Sequence, residues 1–145
     1  MSCKYNKYFD NYMLKEINFS IDQKQKIIDI TKEVRKAVSE SGIKEGSCIV
    51  YTPHATCSVI INENWDPNVG EDIIAALNKL FPRDIWKHDK VDHNGAAHIK
   101  SAILGPSETV LIKEGELLLG QWQNLMFCDF DGPKQRRAFV KINGD

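Results

Sequence analysis

Apolar residues fall along the chain in short groups whose spacing alternates between strand-like and helix-like periods. Tyr8, Phe9, Tyr12, Leu14, Ile17 and Phe19 mark an opening strand over residues 7–20, with imperfect alternation. Val34, Ala37 and Val38 repeat at helical spacing, so a helix is predicted from Thr31, as its N-cap, to about Ser41, with Gly42 closing it. Residues 47–52 and 56–62 are β-rich. Only Pro53, His54 and Ala55 separate them, which predicts neighbouring strands joined by a tight bend. Asp66-Pro67 is a helix start, a carboxylate cap followed by proline in the first turn, and Val69, Ile73, Leu77 and Leu80 mark one face up to the stop at Phe81-Pro82.

Residues 82–95 lack periodicity and read as irregular. A shorter helix is predicted from Ala96 to Leu104, stopped by Gly105-Pro106. Beyond it the pattern is β: Glu108 to Lys113 pairs with Glu116 to Leu119 around Glu114-Gly115. A strand follows from Trp122 to Phe130, then a turn at Asp131-Gly132-Pro133 and a last strand from about Ala138 to Ile142. Many short antiparallel strands with interspersed helices predict an α+β fold, one domain spanning residues 1–145.

Composition narrows the function classes. At 145 residues the chain buries roughly 70% of its extended surface, enough for a core without disulfide or structural metal. Nineteen basic residues against twenty acidic ones give a net charge of −1, without the basic excess that phosphate neutralisation demands of a nucleic-acid partner. No apolar run approaches the roughly 20 residues that span a bilayer. Met1 to Asp10 is polar and mixed in charge, unlike a signal peptide, so no membrane association and a cytoplasmic location are expected. Cys3, Cys48, Cys57 and Cys128 contain no C-x-x-C pair and are read as free, mostly buried thiols.

Candidate chemistry concentrates at element ends. The histidines are His54, at the strand bend, His88 and His93, in the irregular stretch, and His98, on the following helix. Three imidazoles with one open position make a catalytic zinc site. Spacing alone leaves that reading open beside surface or hydrogen-bonded histidines. Glu63 follows the apolar run Val59-Ile60-Ile61 and is read either as a general base or as part of the loop before the helix. Gly120-Gln121-Trp122-Gln123 is read as a glycine-relieved stretch of strand, with Trp122 either core or a stacking surface. Lys134, Arg136 and Arg137 follow the Asp131-Gly132-Pro133 turn and are either phosphate ligands or a solvated basic turn.

Five ordered strings carry a resemblance. They are Thr52-Pro53-His54-Ala55-Thr56, Ile61-Asn62-Glu63-Asn64, Ala97-His98-Ile99-Lys100-Ser101, Leu118-Leu119-Gly120-Gln121-Trp122-Gln123, and Asp131-Gly132-Pro133 followed by Arg136-Arg137. In these the chain resembles the YjbQ-like family, often named secondary thiamine-phosphate synthase-type proteins. The resemblance implies a largely antiparallel, sandwich-like sheet with a few helices, a homotrimer, and a histidine-lined pocket for a divalent metal. Carried over by motif, His54 and His98 are the leading metal ligands and His88 the third, with His93 its alternative. Three imidazoles favour a zinc-like ion over magnesium, which prefers oxygen.

The implied activity joins a pyrimidine diphosphate to a thiazole phosphate and releases pyrophosphate. It assigns catalysis to His54 and Glu63, and contact with a small phosphorylated substrate to Lys100, Trp122, Gln123, Arg136 and Arg137. Two alternatives stand beside it. One is a metal-dependent hydrolase of a phosphorylated or cyclic small molecule, with Glu63 taking the proton of water. The other is a metabolite-binding protein without turnover.

Overall fold

Leu125, Met126, Phe127 and Cys128 are all without solvent exposure, so their strand must be covered on both faces. In the computed structural model, which describes residues 11–145, this strand is the middle of a three-layer arrangement. We number the strands β1 (Tyr12–Ile21), β2 (Lys26–Asp29), β3 (Gly46–Tyr51), β4 (Cys57–Asn62), β5 (Ser107–Lys113), β6 (Glu116–Leu117), β7 (Asn124–Asp129) and β8 (Lys134–Gly144). The helices are α1 (Thr31–Ser41), α2 (Pro67–Leu80), α3 (Asp89–Asp92) and α4 (Gly95–Leu104). One sheet has the order β1-β8-β3-β5-β6 and the other β2-β7-β4, and every pairing is antiparallel.

The two faces of β7 explain the layers. Leu125 and Phe127 point into the space between the sheets, with Val50, Val110 and Val140 from the large sheet and Val34 and Val38 from α1. Met126 and Cys128 point the other way, to Leu77 of α2 and Ala97 of α4. The large sheet has a solvated outer face, and β8 alternates accordingly: Arg136, Ala138, Val140 and Ile142 are buried between less buried neighbours. The α+β class and antiparallel sandwich expected from the sequence are the observed architecture.

Local signals placed several elements well. Asp66 caps α2 by accepting from the Asn68 amide, with Pro67 in the first turn. Gly42 ends α1 in the left-handed region at φ 69°. Four expectations change. First, β3 and β4 are not paired: β3 sits between β8 and β5, and β4 beside β7. Residues 52–56 carry the chain from one sheet to the other, held by the Thr52 amide on Pro106 O at 2.9 Å and the Phe130 amide on Thr56 O at 3.1 Å. Second, Thr31 is the first residue of α1 rather than its cap. Its Oγ1 accepts from the Leu125 amide at 2.9 Å, while Asp29 Oδ1 accepts the Thr31 amide at 2.8 Å.

Third, Gly120 to Gln123 form a turn rather than part of a strand, closed by Gln123 N–H on Gly120 O at 3.0 Å. Fourth, residues 82–95 contain the short helix α3, and β2 was not anticipated. Cys48, Cys57 and Cys128 are buried free thiols; Cys3, Tyr8 and Phe9 lie outside the described residues. Among the described residues no helix is long and apolar enough to cross a membrane.

Candidate functional site

The Asp131-Gly132-Pro133 turn organises the polar end of the sandwich. Gly132 packs so closely that an added Cβ would lie 2.1 Å from Gln23 O, and its amide donates to Lys24 O at 2.9 Å. This close approach fixes the β1–β2 turn against the β7–β8 turn. Asp131, nearly buried, accepts from Lys24 at 2.9 Å, Lys134 at 2.6 Å and Asn94 Nδ2 at 3.1 Å. Burial alone raises its pKa, but hydrogen bonds from Lys134, Lys24 and Asn94 outweigh that and hold the carboxyl well below the usual carboxylate range. An acid-sensitive contribution to stability follows. It is complete above the unfolded aspartate value of about 4 and is lost as pH falls through the lower folded value. Urea unfolding between pH 5 and pH 2 is expected to show a stability loss that is smaller in Asp131→Asn, after allowing for that variant's lower starting stability.

Beside this turn, Arg136 points inward. Its Nε meets Asp129 Oδ2 at 2.7 Å and its Nη2 meets Asp129 Oδ1 at 3.0 Å, Thr56 Oγ1 at 3.1 Å and Asp131 O at 3.3 Å. Those donors are spent inside the protein. Arg137, next along β8, points outward, with its guanidinium 5.5 Å from the Phe139 ring and half exposed. The Arg137 amide donates to His54 Nε2 at 3.0 Å. That bond requires a lone pair on Nε2, so the neutral ring carries its proton on Nδ1. Burial, then the charges of Arg136 and Arg137, lower the His54 pKa. His54, Arg136 and Arg137 line a cleft of about 220 Å³ with Asn18 and Gln135. The expected His54 titration midpoint lies below the ordinary histidine value of about 6.5, readable from imidazole carbon–proton correlations; a midpoint at or above that value contradicts the geometry.

The other predicted residues divide into four places. His88 and His98 stand together, ring centroids 4.8 Å apart and nearly perpendicular. His93, left-handed at φ 54°, ends α3 and lines a separate small hollow with Lys24 and Asn94. Among the described residues no three histidine, cysteine or acidic side chains converge as a metal site. Glu63, Trp122 and Gln123 lie at the opposite end of β4 from His54. The five steps from Cys57 to Asn62 alone span about 17 Å. There Trp122 meets Trp65 edge-on at 6.2 Å, and Gln123 Oε1 accepts the Gly120 amide at 2.8 Å. Lys100 is fully buried and donates to Asn78 Oδ1. Sequence reasoning assigned no role to Asn78, Arg83, Asp129 or Thr56; of these Asp129, at the end of an apolar strand, and Thr56, two residues after His54 in the same string, carried a visible signal.

The chain matches the family model described as UPF0047 protein YjbQ-like over residues 15–145. It is 43% identical over 133 residues to a UPF0047 protein of Methanocaldococcus jannaschii, covering 92% of this chain and 96% of that one. It is 39% identical over 135 residues to UPF0047 protein YugU of Bacillus subtilis, covering 91% and 100%. The crystal structure of a YbjQ-like protein of unknown function from Sulfolobus solfataricus superposes with a TM-score of 0.89 at 32% identity, covering 92% and 98%. An uncharacterized conserved protein of the same family from Clostridium acetobutylicum gives 0.85 at 44% identity, covering 88% and 98%.

Proposed function

The chain belongs to the YjbQ-like UPF0047 family, and from that premise we propose that it acts on a small phosphorylated molecule held in the His54–Arg137 cleft. The observation that carries this reading is the Arg137 amide on His54 Nε2. It immobilises a neutral imidazole beside an exposed guanidinium, leaving the Nδ1–H as a donor. Donors of that kind, with the Arg137 guanidinium 3.9 Å from Glu16, suit a phosphate oxygen and the charge that builds on a departing phosphate or pyrophosphate. A cleft of about 220 Å³ is below the usual range of about 300–1,000 Å³ for a whole ligand. It accommodates the phosphorylated end of a substrate rather than both partners of a thiamine-phosphate condensation.

Titration with inorganic pyrophosphate, followed by amide and imidazole shifts, tests the reading. Saturable shifts are expected at His54 and Arg137, weakened about 10-fold or more by Arg137→Gln, in line with the roughly 1.5–3 kcal/mol of a charged hydrogen bond. Absence of saturable shifts in this cleft overturns it.

A second reading, metal-dependent hydrolysis, is favoured by His88 and His98. Two imidazoles on one tetrahedral zinc have centroids roughly 5 Å apart, from zinc–nitrogen bonds of about 2.0–2.1 Å, close to the 4.8 Å found here. These two side chains would hold a zinc-like ion, which would supply a water of lowered pKa. His54 would join them only by releasing the Arg137 amide. Elemental analysis of protein purified without added metal tests this, with Zn lost from His98→Ala as the supporting result. Glu63 would reach the His54 cleft only across a boundary between chains, which is the arrangement a homotrimer offers. Light scattering at three chain masses supports that assembly, and a stable monomer opposes it.

A further inference from the structure

Lys100 poses a question that the His54 cleft does not answer. Its side chain is fully buried on α4, yet among the described residues no carboxylate pairs with it. Its ammonium donates to Asn78 Oδ1 and lies 5.9 Å from the Phe130 ring. A lysine ammonium can only donate, so the Asn78 oxygen is committed inward and the Asn78 NH₂ is the group left to face outward. That amide lies at the wall of a cleft of about 510 Å³ between the β1–β2 turn and the end of α2, lined also by Lys24, Gln25, Pro82 and Arg83.

The charge in this wall is of one sign. Arg83 has no ion-pair partner among the described residues, and burial, then the charge of Arg83, lower the Lys100 pKa. Lys24 is paired with Asp131, but Lys134 shares that same carboxylate, so the trio carries a net positive charge. Behind Lys24 and Arg83 lies a hollow of about 10 Å³, room for about one water. Asn94 lines it, and Asn94 Oδ1 is buried without a hydrogen-bond partner. The cleft thus offers donors and positive charge across its mouth, with room for one water in the hollow behind it. That combination matches a phosphate group bearing a bound water.

We propose that the cleft formed by Lys24, Asn78 and Arg83 over buried Lys100 is a phosphate-binding site separate from the His54–Arg137 cleft. Lys100 acts in it as a positioning residue, turning the Asn78 amide outward. The ligand class is a small molecule with a phosphate monoester, or free phosphate itself.

The test uses the whole chain and inorganic phosphate at constant ionic strength, with chloride as the control anion. Saturable shifts are expected at the side-chain amides of Asn78 and Gln25 and at the Arg83 guanidinium. Asn78→Asp adds a negative charge at the wall while giving Lys100 a carboxylate partner, so folding is expected to be preserved. It is expected to weaken phosphate binding at least 10-fold, as is Arg83→Gln. Arg137→Gln is expected to leave these shifts unchanged within 2-fold, which separates this site from the other cleft. Shifts that do not saturate, that chloride reproduces, or that survive both Asn78→Asp and Arg83→Gln overturn the proposal.

Discussion

Arg136→Met is expected to remove about 3–5 kcal/mol of unfolding free energy, the usual loss when one member of a buried ion pair is deleted. Asp129 is without solvent exposure, and Arg136 supplies both of its carboxylate oxygens with donors. Removing the guanidinium leaves a charge that burial strongly disfavours, and it also strips Thr56 Oγ1 and Asp131 O of a donor. Urea unfolding followed by circular dichroism measures the loss. The double variant Asp129→Leu with Arg136→Met is expected to recover a substantial part of it, because no isolated charge then remains. A single-variant loss under about 1 kcal/mol, the median worth of an exposed pair, contradicts the buried geometry.

Phe127→Ala is expected to cost a similar amount, about 3–5 kcal/mol. The ring is without exposure at the centre of β7 and meets Phe19 of the opposite sheet at 5.0 Å between centroids. Backbone pairing holds β7 between β2 and β4, so the space cannot close by moving the strand, and a cavity remains. Phe127→Leu keeps most of the volume and is expected to lose far less. If both variants melt within a few degrees of the parent, the ring does not bridge the sheets as described. Arg136→Met acts on the polar end and Phe127→Ala on the core, so their effects are expected to add.

What could be read from the sequence was what local chemistry decides. Asp66-Pro67 starts α2, and Gly42 ends α1, because a cap and a left-handed turn depend on a few adjacent residues. The separation of β3 from β4 was hidden because sheet membership is decided by partners far along the chain: Cys48 opposite Ile142, Cys57 opposite Asp129. β2 was hidden because Lys-Ile-Ile-Asp has no alternation to detect. The site shows the same division. His54 and Arg137 were both candidates, but their contact across 83 positions has no local signature. The difference between Arg136 and Arg137 was present in the strand period: Arg136 is in phase with Ala138, Val140 and Ile142, which face the core. Asn78 and Arg83 carried no motif, and only the burial of Lys100 draws attention to them.

The place of β8 bears on how the chain is made as well as how it is held. It lies between β1 and β3, pairing Tyr12 with Asn143 on one side and Cys48 with Ile142 on the other. During synthesis the first strand therefore waits for residues 134–144 before it has a partner, and the five-stranded sheet has a gap between β1 and β3 until then. Over that interval the apolar side chains of β1 and β3 are exposed to other chains. Sequence-distant pairing of this kind also slows closure, because the loop entropy is lost before the contacts form. A nascent chain arrested before residue 134 presents strand edges, not a smaller version of the folded domain.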